Sequence, residues 1–484
     1  MLVVKILMEI TTTLICGDEP ETNVFATSYS DDLSILFSFS FEPGQPKSVN
    51  SRIVSCFHEF EVKDPEYSFP SRKEMRQVLH ASIVQIWRDC AYHPSIRLPD
   101  VVVQIGEKSG GTIVWRISHE SSYREYAESL IPSVLIQSSL IPDSQLTQTA
   151  LVSLESLRFS AILGGRGDTT IVHFEGGTNS KTTYVYKGLS FRLFLEQGTG
   201  FRTERQAFYH ELGLIYSLPR HPNIVSPPKF LVTAKIPTLD TSLPTKSETY
   251  VCGALYPYLQ RESLQEALNE SNITGERLPL TLKPKWARQI VSALAATHIS
   301  CQYHMDLKPS NVLLDDDENA ILIDWEQSGA SPFFIAPEAD GSWDVEIETL
   351  QQDRNGISQG KAERPKLMYR KYTGALRENH WKWPKWNVFP IWQTECPDAL
   401  RKAEVYSFGR TLWVIFEQVN LGDLVGGGKA FTPESISWGS LTAGIPSHWK
   451  DFIYECVDPN PNVRPDLDTA ISFWEKECKV WHCN

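Results

Sequence analysis

The chain has 484 residues, too long for one ordinary core, and its 41% hydrophobic and 22% charged residues are the composition of a folded protein, which excludes wholesale disorder. A formal net charge of -13 excludes a general polyanion binder, so no nucleic-acid partner is expected. No stretch reaches the ~20 apolar residues of a spanning helix, which leaves a soluble or at most peripheral protein with no membrane partner.

The first residues, MLVVKILMEITTTLICG, carry Lys5 and Glu9 inside an apolar run, so a strand or helix is expected there rather than a leader peptide. Ser34 opens the strand pattern SILFSFSF, and Ser71 opens a helix with Met75, Val78, Leu79, Ile83 and Trp87 on one face. Val101–Ile105 and Thr112–Ile117 read as hairpin arms joined by GEKSGG. Residues 1–155 thus form an N-terminal α+β region. From Ser156 to Tyr256 short β-type runs surround one helix, and beyond Tyr258 helical patterns dominate. A helix bearing Trp286, Ile290, Leu294 and Thr297 has an apolar stripe that reads as core. Nine cysteines are scattered without a CxxC pair, as reduced thiols of the cytosol or nucleus would be.

A series of polar motifs runs through the second and third regions. Gly165-Arg-Gly167-Asp-Thr-Thr170-Ile-Val172 precedes the strand-like Tyr184-Val185-Tyr-Lys187. Glu211 follows in a helix, and His221-Pro-Asn-Ile-Val225 comes directly after it. Next come His304-Met-Asp306-Leu-Lys308-Pro-Ser-Asn311 and Asp324-Trp-Glu326, with two apolar strand-like runs around Leu313 and Ile321. Ala336-Pro-Glu338, Glu404-Val-Tyr-Ser-Phe-Gly409 and Arg464 complete the series.

Taken together these motifs resemble those of the eukaryotic-type protein kinases, over roughly residues 156–480. The resemblance implies an α+β, bilobal kinase-like fold, with a small lobe over 156–256 and a large lobe over 257–480. It also implies an ATP- and Mg²⁺-dependent transfer to serine or threonine of a protein substrate that the motifs do not identify. On it, Asp306 takes or orients the acceptor proton and Lys308 sits beside the transferred phosphoryl group, while Asn311 and Asp324 hold Mg²⁺. Lys187 grips the ATP phosphates with Glu211 as its partner. Gly165 and Gly167 belong to the phosphate loop. Val172, Val185 and Leu313 fall where the adenine is sandwiched, and Tyr256 joins this nucleotide-binding set. Ile215, His304 and Trp325, with Phe230 or Leu231, fall where kinases stack an apolar spine, and Arg464 is matched to Glu338. The chain also resembles kinase-like proteins of filamentous fungi.

Three positions depart from the pattern: Met305 for arginine, Trp325-Glu326 for Phe-Gly, and Glu404 for aspartate, whose longer carboxylate is expected still to reach backbone N–H groups. They keep open a catalytically impaired pseudokinase that acts as a scaffold. Ile-Asp324-Trp-Glu326 is also similar to small-molecule phosphotransferases, which keeps that reading open too. The stretch 339–400 is an insertion relative to the kinase pattern. Its residues 361–386 hold eight Lys/Arg against two Glu, with Trp381, Trp383 and Trp386 interleaved. That mixture suits docking of an acidic partner; it equally suits neutralisation inside the insertion with the tryptophans packed on the large lobe. Met305 cannot pair with a phosphate. The short segment before Glu338 is therefore expected to be held by packing of Phe333 and Phe334 and by Ser331, not by phosphorylation.

Overall fold

A computed structural model describes residues 11–16, 23–30, 33–40, 47–58, 72–90, 93–97, 101–108, 112–119, 122–142, 145, 149–163, 169–174, 182–197, 200–235, 248–327, 333–347, 366–374, 389–420, 436–439 and 444–483. The chain divides into two compact units, one of residues Met1–Phe208 and Pro227–Tyr258, the other of Tyr209–Ser226 and Leu259–Asn484.

The first unit holds two sheets. Strands β1 (Thr11–Cys16), β2 (Asn23–Ser30), β3 (Leu33–Ser40), β4 (Val101–Lys108) and β5 (Thr112–His119) lie in sequence order. Only β3 and β4 are parallel, with Phe37 opposite Val103, because helices α1 (Val49–His58) and α2 (Arg72–Cys90) form the crossover between them. The expected face of α2 is the buried one: Leu79, Ile83 and Trp87 share a core with Phe37, Phe39, Val103 and Ile105, and Val78 packs against it.

After helix α3 (Ser122–Ser129) the chain enters the second sheet through β6 (Ile131–Pro132), helix α4 (Ser133–Ser139) and β7 (Ala150–Ser153). It continues through β8 (Arg158–Ile162), β9 (Thr170–Phe174), β10 (Thr182–Gly188), helices α5 (Phe191–Gln197) and α6 (Phe201–Ser217, counted with the second unit from Tyr209 on), then β11 (Phe230–Lys235) and β12 (Thr249–Pro257). The order is β7-β11-β12-β10-β9-β8, with β6 beside β12. Residues 131–153, which sequence patterning leaves in the N-terminal region, therefore supply two strands to the sheet built by residues 158–257. The backbone of β7 is paired along β11, Leu151 opposite Leu231, and could not be removed without exposing that edge. In the same unit Tyr126 of α3 donates to Leu189 O at 2.5 Å and packs against Phe191, Phe194 and Phe201.

The second unit is mainly helical. Helix α7 (Leu264–Thr274) opens with a capping box between Ser263 and Glu266 and stops at Gly275, whose φ of 73° favours glycine. Helix α8 (Leu282–His298) buries Trp286, Ile290, Leu294 and Thr297, the stripe read from the sequence. The hairpin β13 (Val312–Leu314) and β14 (Ala320–Leu322) follows it. A second hairpin, β15 (Trp343–Ile347) with β16 (Leu367–Lys371), belongs to the insertion. Helices α9 (Phe389–Glu395), α10 (Pro397–Glu417), α11 (Ser447–Cys456) and α12 (Leu467–Val480) complete the unit. Among the described residues no helix is long and apolar enough to cross a membrane.

Gly409 lets α10 meet the end of α11. A Cβ there would lie 2.5 Å from the Cys456 Cβ and 2.8 Å from Val457 Cγ1. Gly409→Ala is expected to cost about 1–3 kcal/mol, seen as a fall in Tm; an unchanged Tm would contradict this packing.

Candidate active site

The second unit gathers Asp306, Lys308, Asn311 and Asp324 around the β13–β14 hairpin. The turn before β13 is fixed from several sides. His304, fully buried, donates from Nε2 to Ile323 O at 2.8 Å and accepts from Asp306 N at Nδ1 (3.3 Å). Burial lowers its pKa, so the ring is the neutral Nε2–H tautomer that both bonds require. Asn311 Nδ2 donates to Asp306 O at 2.9 Å and to Asp306 Oδ2 at 3.1 Å. Lys308 Nζ bonds the same Oδ2 at 2.6 Å.

Two features of the Asp306 carboxylate matter for chemistry. Asp306 is buried, and that burial raises its pKa to about 6 against the opposing charge of Lys308. Its Oδ1 has no hydrogen-bond partner among the described residues. An acceptor oxygen left bare in a buried site is costly unless a ligand supplies the donor.

Beneath the loop, Glu404 of α10 accepts from Met305 N at 2.8 Å and pairs through its other oxygen with His298 Nε2. The longer carboxylate therefore does reach the backbone, and the extra length also engages a buried histidine that sequence reading missed. Met305 and Asp324 both have left-handed backbones, φ 62° and 65°, at which non-glycine residues are held only by their surroundings. Farther out, Arg464 clamps Glu338 with two bonds of 2.5 and 3.0 Å, both side chains almost completely buried.

Glu211, Asp324 and Glu326 each present a carboxylate oxygen, all within 4.8 Å of one another. Trp325 N donates to Glu211 Oε1 at 3.2 Å, and the Trp325 ring lies 4.6 Å from that of His304. Oxygen donors of this kind, with Asn311 beside Asp306, suit a hard divalent cation such as Mg²⁺. Glu326 was legible only as a departure from glycine; its place in the carboxylate group becomes visible in three dimensions. The motif His221–Val225 lies along β14: Asn223 Nδ2 donates to Ala320 O, and Leu322 N to Asn223 O.

The remaining candidates belong to the first unit. Lys187 is on β10 opposite Ala254 of β12, Val185 is opposite Tyr256, and Val172 is buried on β9 next to Tyr184. Gly165 and Gly167 lie outside the described residues, as do Ser328, Ser331 and the three tryptophans Trp381, Trp383 and Trp386. Leu313 is half-buried on β13. Within the basic stretch 361–386 the structure describes residues 366–374. There Arg370 pairs with Glu346 at 3.0 Å and the Lys371 ammonium lies 3.8 Å from the Trp343 ring centre, so both charges are engaged by the hairpin itself.

Residues 165–332 match the family model of the protein kinase domain. The match supports the eukaryotic protein kinase superfamily. The chain is similar to a dual specificity protein kinase of Dictyostelium discoideum, 33% identical over 96 residues, which cover 18% of either chain. It is also similar to a leucine-rich repeat receptor-like serine/threonine/tyrosine-protein kinase of Arabidopsis thaliana, 35% identical over 81 residues, which cover 16% of this chain and 13% of that one. The chain thus spans less than a fifth of the length of these relatives. Protein kinase domains in general use ATP and Mg²⁺.

Proposed function

We propose that this chain transfers the γ-phosphoryl group of ATP to serine or threonine hydroxyls of a protein substrate. The observation that carries the reading is the divided carboxylate of Asp306: Oδ2 is taken by Lys308 and Asn311, and Oδ1 is a buried acceptor without a partner among the described residues. A substrate hydroxyl donating to Oδ1 would be oriented for in-line attack on the γ-phosphorus; its proton would pass to that oxygen as the new P–O bond forms and the bond to the β,γ-bridging oxygen breaks, releasing ADP. Lys308, about a quarter exposed and bonded to the carboxylate, would offset the charge of the transferred group. Asn311 and Asp324 would hold Mg²⁺, which supplies charge neutralisation at the phosphates when bound.

Ser331, seven positions before Glu338, resembles the threonine that serine/threonine kinases carry near the catalytic aspartate, which supports serine and threonine as acceptors. The seven free cysteines among the described residues are compatible with the cytosol or nucleus. Incubating the purified protein with γ-labelled ATP, Mg²⁺ and a peptide library bearing serine, threonine and tyrosine tests the assignment. Label on serine or threonine is expected; label on tyrosine alone, or on a small alcohol or amine in place of peptide, would overturn it.

The pH dependence follows from Asp306. Only the carboxylate accepts the proton, so kcat/KM is expected to rise tenfold per pH unit below about 6 and to level off above it. A profile flat down to pH 4.5 would contradict Asp306 as the titrating group.

A further inference from the structure

The residue before Asp306 is a methionine with a left-handed backbone, and it is only 4% exposed. The insertion contributes part of the apolar cluster in which it is buried, beside Ala403 and Tyr406 of α10. Met305 and Tyr303 share an apolar cluster with Ile335 and Ala336, which precede Glu338, and with Leu367 and Trp392 of the insertion. Trp392, on α9, is 1% exposed, and the Tyr369 ring of β16 meets it edge-on at 6.1 Å. Two polar ties run beside the cluster. Gln393 Nε2 donates to Cys301 O at 3.1 Å, and Tyr303 Oη to Pro397 O at 3.3 Å. The hairpin is itself anchored, because the Asn462 side chain bonds both the N–H and the C=O of Leu367, at 3.0 and 2.9 Å.

The same unit fixes the end of the segment leading to Glu338 without a phosphate. Arg410 Nε donates to Phe333 O at 3.1 Å and its guanidinium lies 4.1 Å from the Phe333 ring centre, while Ser407 Oγ donates to Phe334 O at 2.8 Å. A thioether cannot be oriented by charge; Met305 is held in its costly backbone state by the bond from its N–H to Glu404 and by burial in this cluster, of which Trp392 is the largest side chain.

We propose that the insertion is a permanent internal latch on the catalytic loop, in which Trp392, through Met305, positions Asp306, so that transfer does not depend on phosphorylation of residues 325–338. The inference rests on the proposed transfer reaction, and Trp392 is a positioning residue that touches neither nucleotide nor acceptor.

The test compares wild type, Trp392→Ala and Trp392→Phe by kcat, KM for peptide, affinity for Mg-ADP, and amide hydrogen exchange over residues 301–311. Trp392→Ala is expected to lower kcat at least tenfold with Mg-ADP affinity within twofold, and to speed exchange at 301–311 at least tenfold while β12 is unaffected. Trp392→Phe should recover kcat to within threefold. Phosphatase treatment of the wild type should leave its rate within twofold. Should Trp392→Ala not fold, Trp392→Leu is read in the same way. Wild-type kcat and exchange in the folded variant, or a large loss on phosphatase treatment, would overturn the latch. A wild type without turnover would defeat the proposed reaction instead, and the exchange measurement would still decide the latch.

Discussion

Asp306→Asn is expected to abolish phosphoryl transfer, by about 10³-fold or more, while binding Mg-ATP with near wild-type affinity. The loss follows from geometry and charge: the amide keeps the shape but cannot take the acceptor proton, and it replaces a carboxylate oxygen by a donor that repels the incoming hydroxyl. Nucleotide affinity survives because the cation is assigned to Asn311 and Asp324. Stability should move the other way. The folded-state pKa of about 6 lies above the ordinary 3.8, so the carboxyl favours folding when protonated and loses that contribution as pH rises through about 6. The amide removes this burial cost. Asp306→Asn should therefore be more stable than wild type by about 1–3 kcal/mol at pH 7–8 and nearly equal to it below pH 4, measured by denaturant titration at the two pH values. Wild-type transfer rates in the variant, or a stability gain that grows toward low pH, would contradict the role given to Asp306.

Arg464→Ala should bring the largest loss of stability of any single substitution considered. It would leave the Glu338 carboxylate in a nearly closed site without either of its bonds of 2.5 and 3.0 Å, and it would remove the donors to Lys402 O and Asp458 O. Breaking a buried pair from one side costs about 3–5 kcal/mol. Arg464→Lys is expected to recover little, because an ammonium cannot reproduce the two-pronged geometry. The check is a thermal melt with denaturant titration; a loss under 1 kcal/mol would show that the pair is solvated in solution.

The legible parts of this molecule are those whose signal is local. Polar residues at fixed spacing announced the loop from His304 to Asn311 and the hairpin after it, because the chemistry and the turn both need particular side chains at particular steps. The face of α2 and the stripe of α8 were equally readable, since burial on one side of a helix leaves a period in the sequence. The hairpin of the insertion also carries a local signal, since Trp343, Val345 and Ile347 alternate with Asp344 and Glu346. What the sequence could not reveal was long-range pairing. Nothing local in Ala150–Ser153 says that it will lie along Phe230–Thr233. Likewise, the grouping of Glu326 with Glu211, and of His298 with Glu404, joins residues 115 and 106 positions apart.

The wild-type protein is expected both to bind Mg-nucleotide and to turn it over on a protein acceptor. Parallel titration with Mg-ADP and initial-rate measurement with γ-labelled ATP and a mixed peptide acceptor, with Asp306→Asn as the blank, decides it. Magnesium-dependent binding by both proteins, with transfer to serine or threonine by the wild type alone, is the predicted result. Nucleotide binding by the wild type with no transfer above the Asp306→Asn blank would contradict it and leave a kinase-fold scaffold.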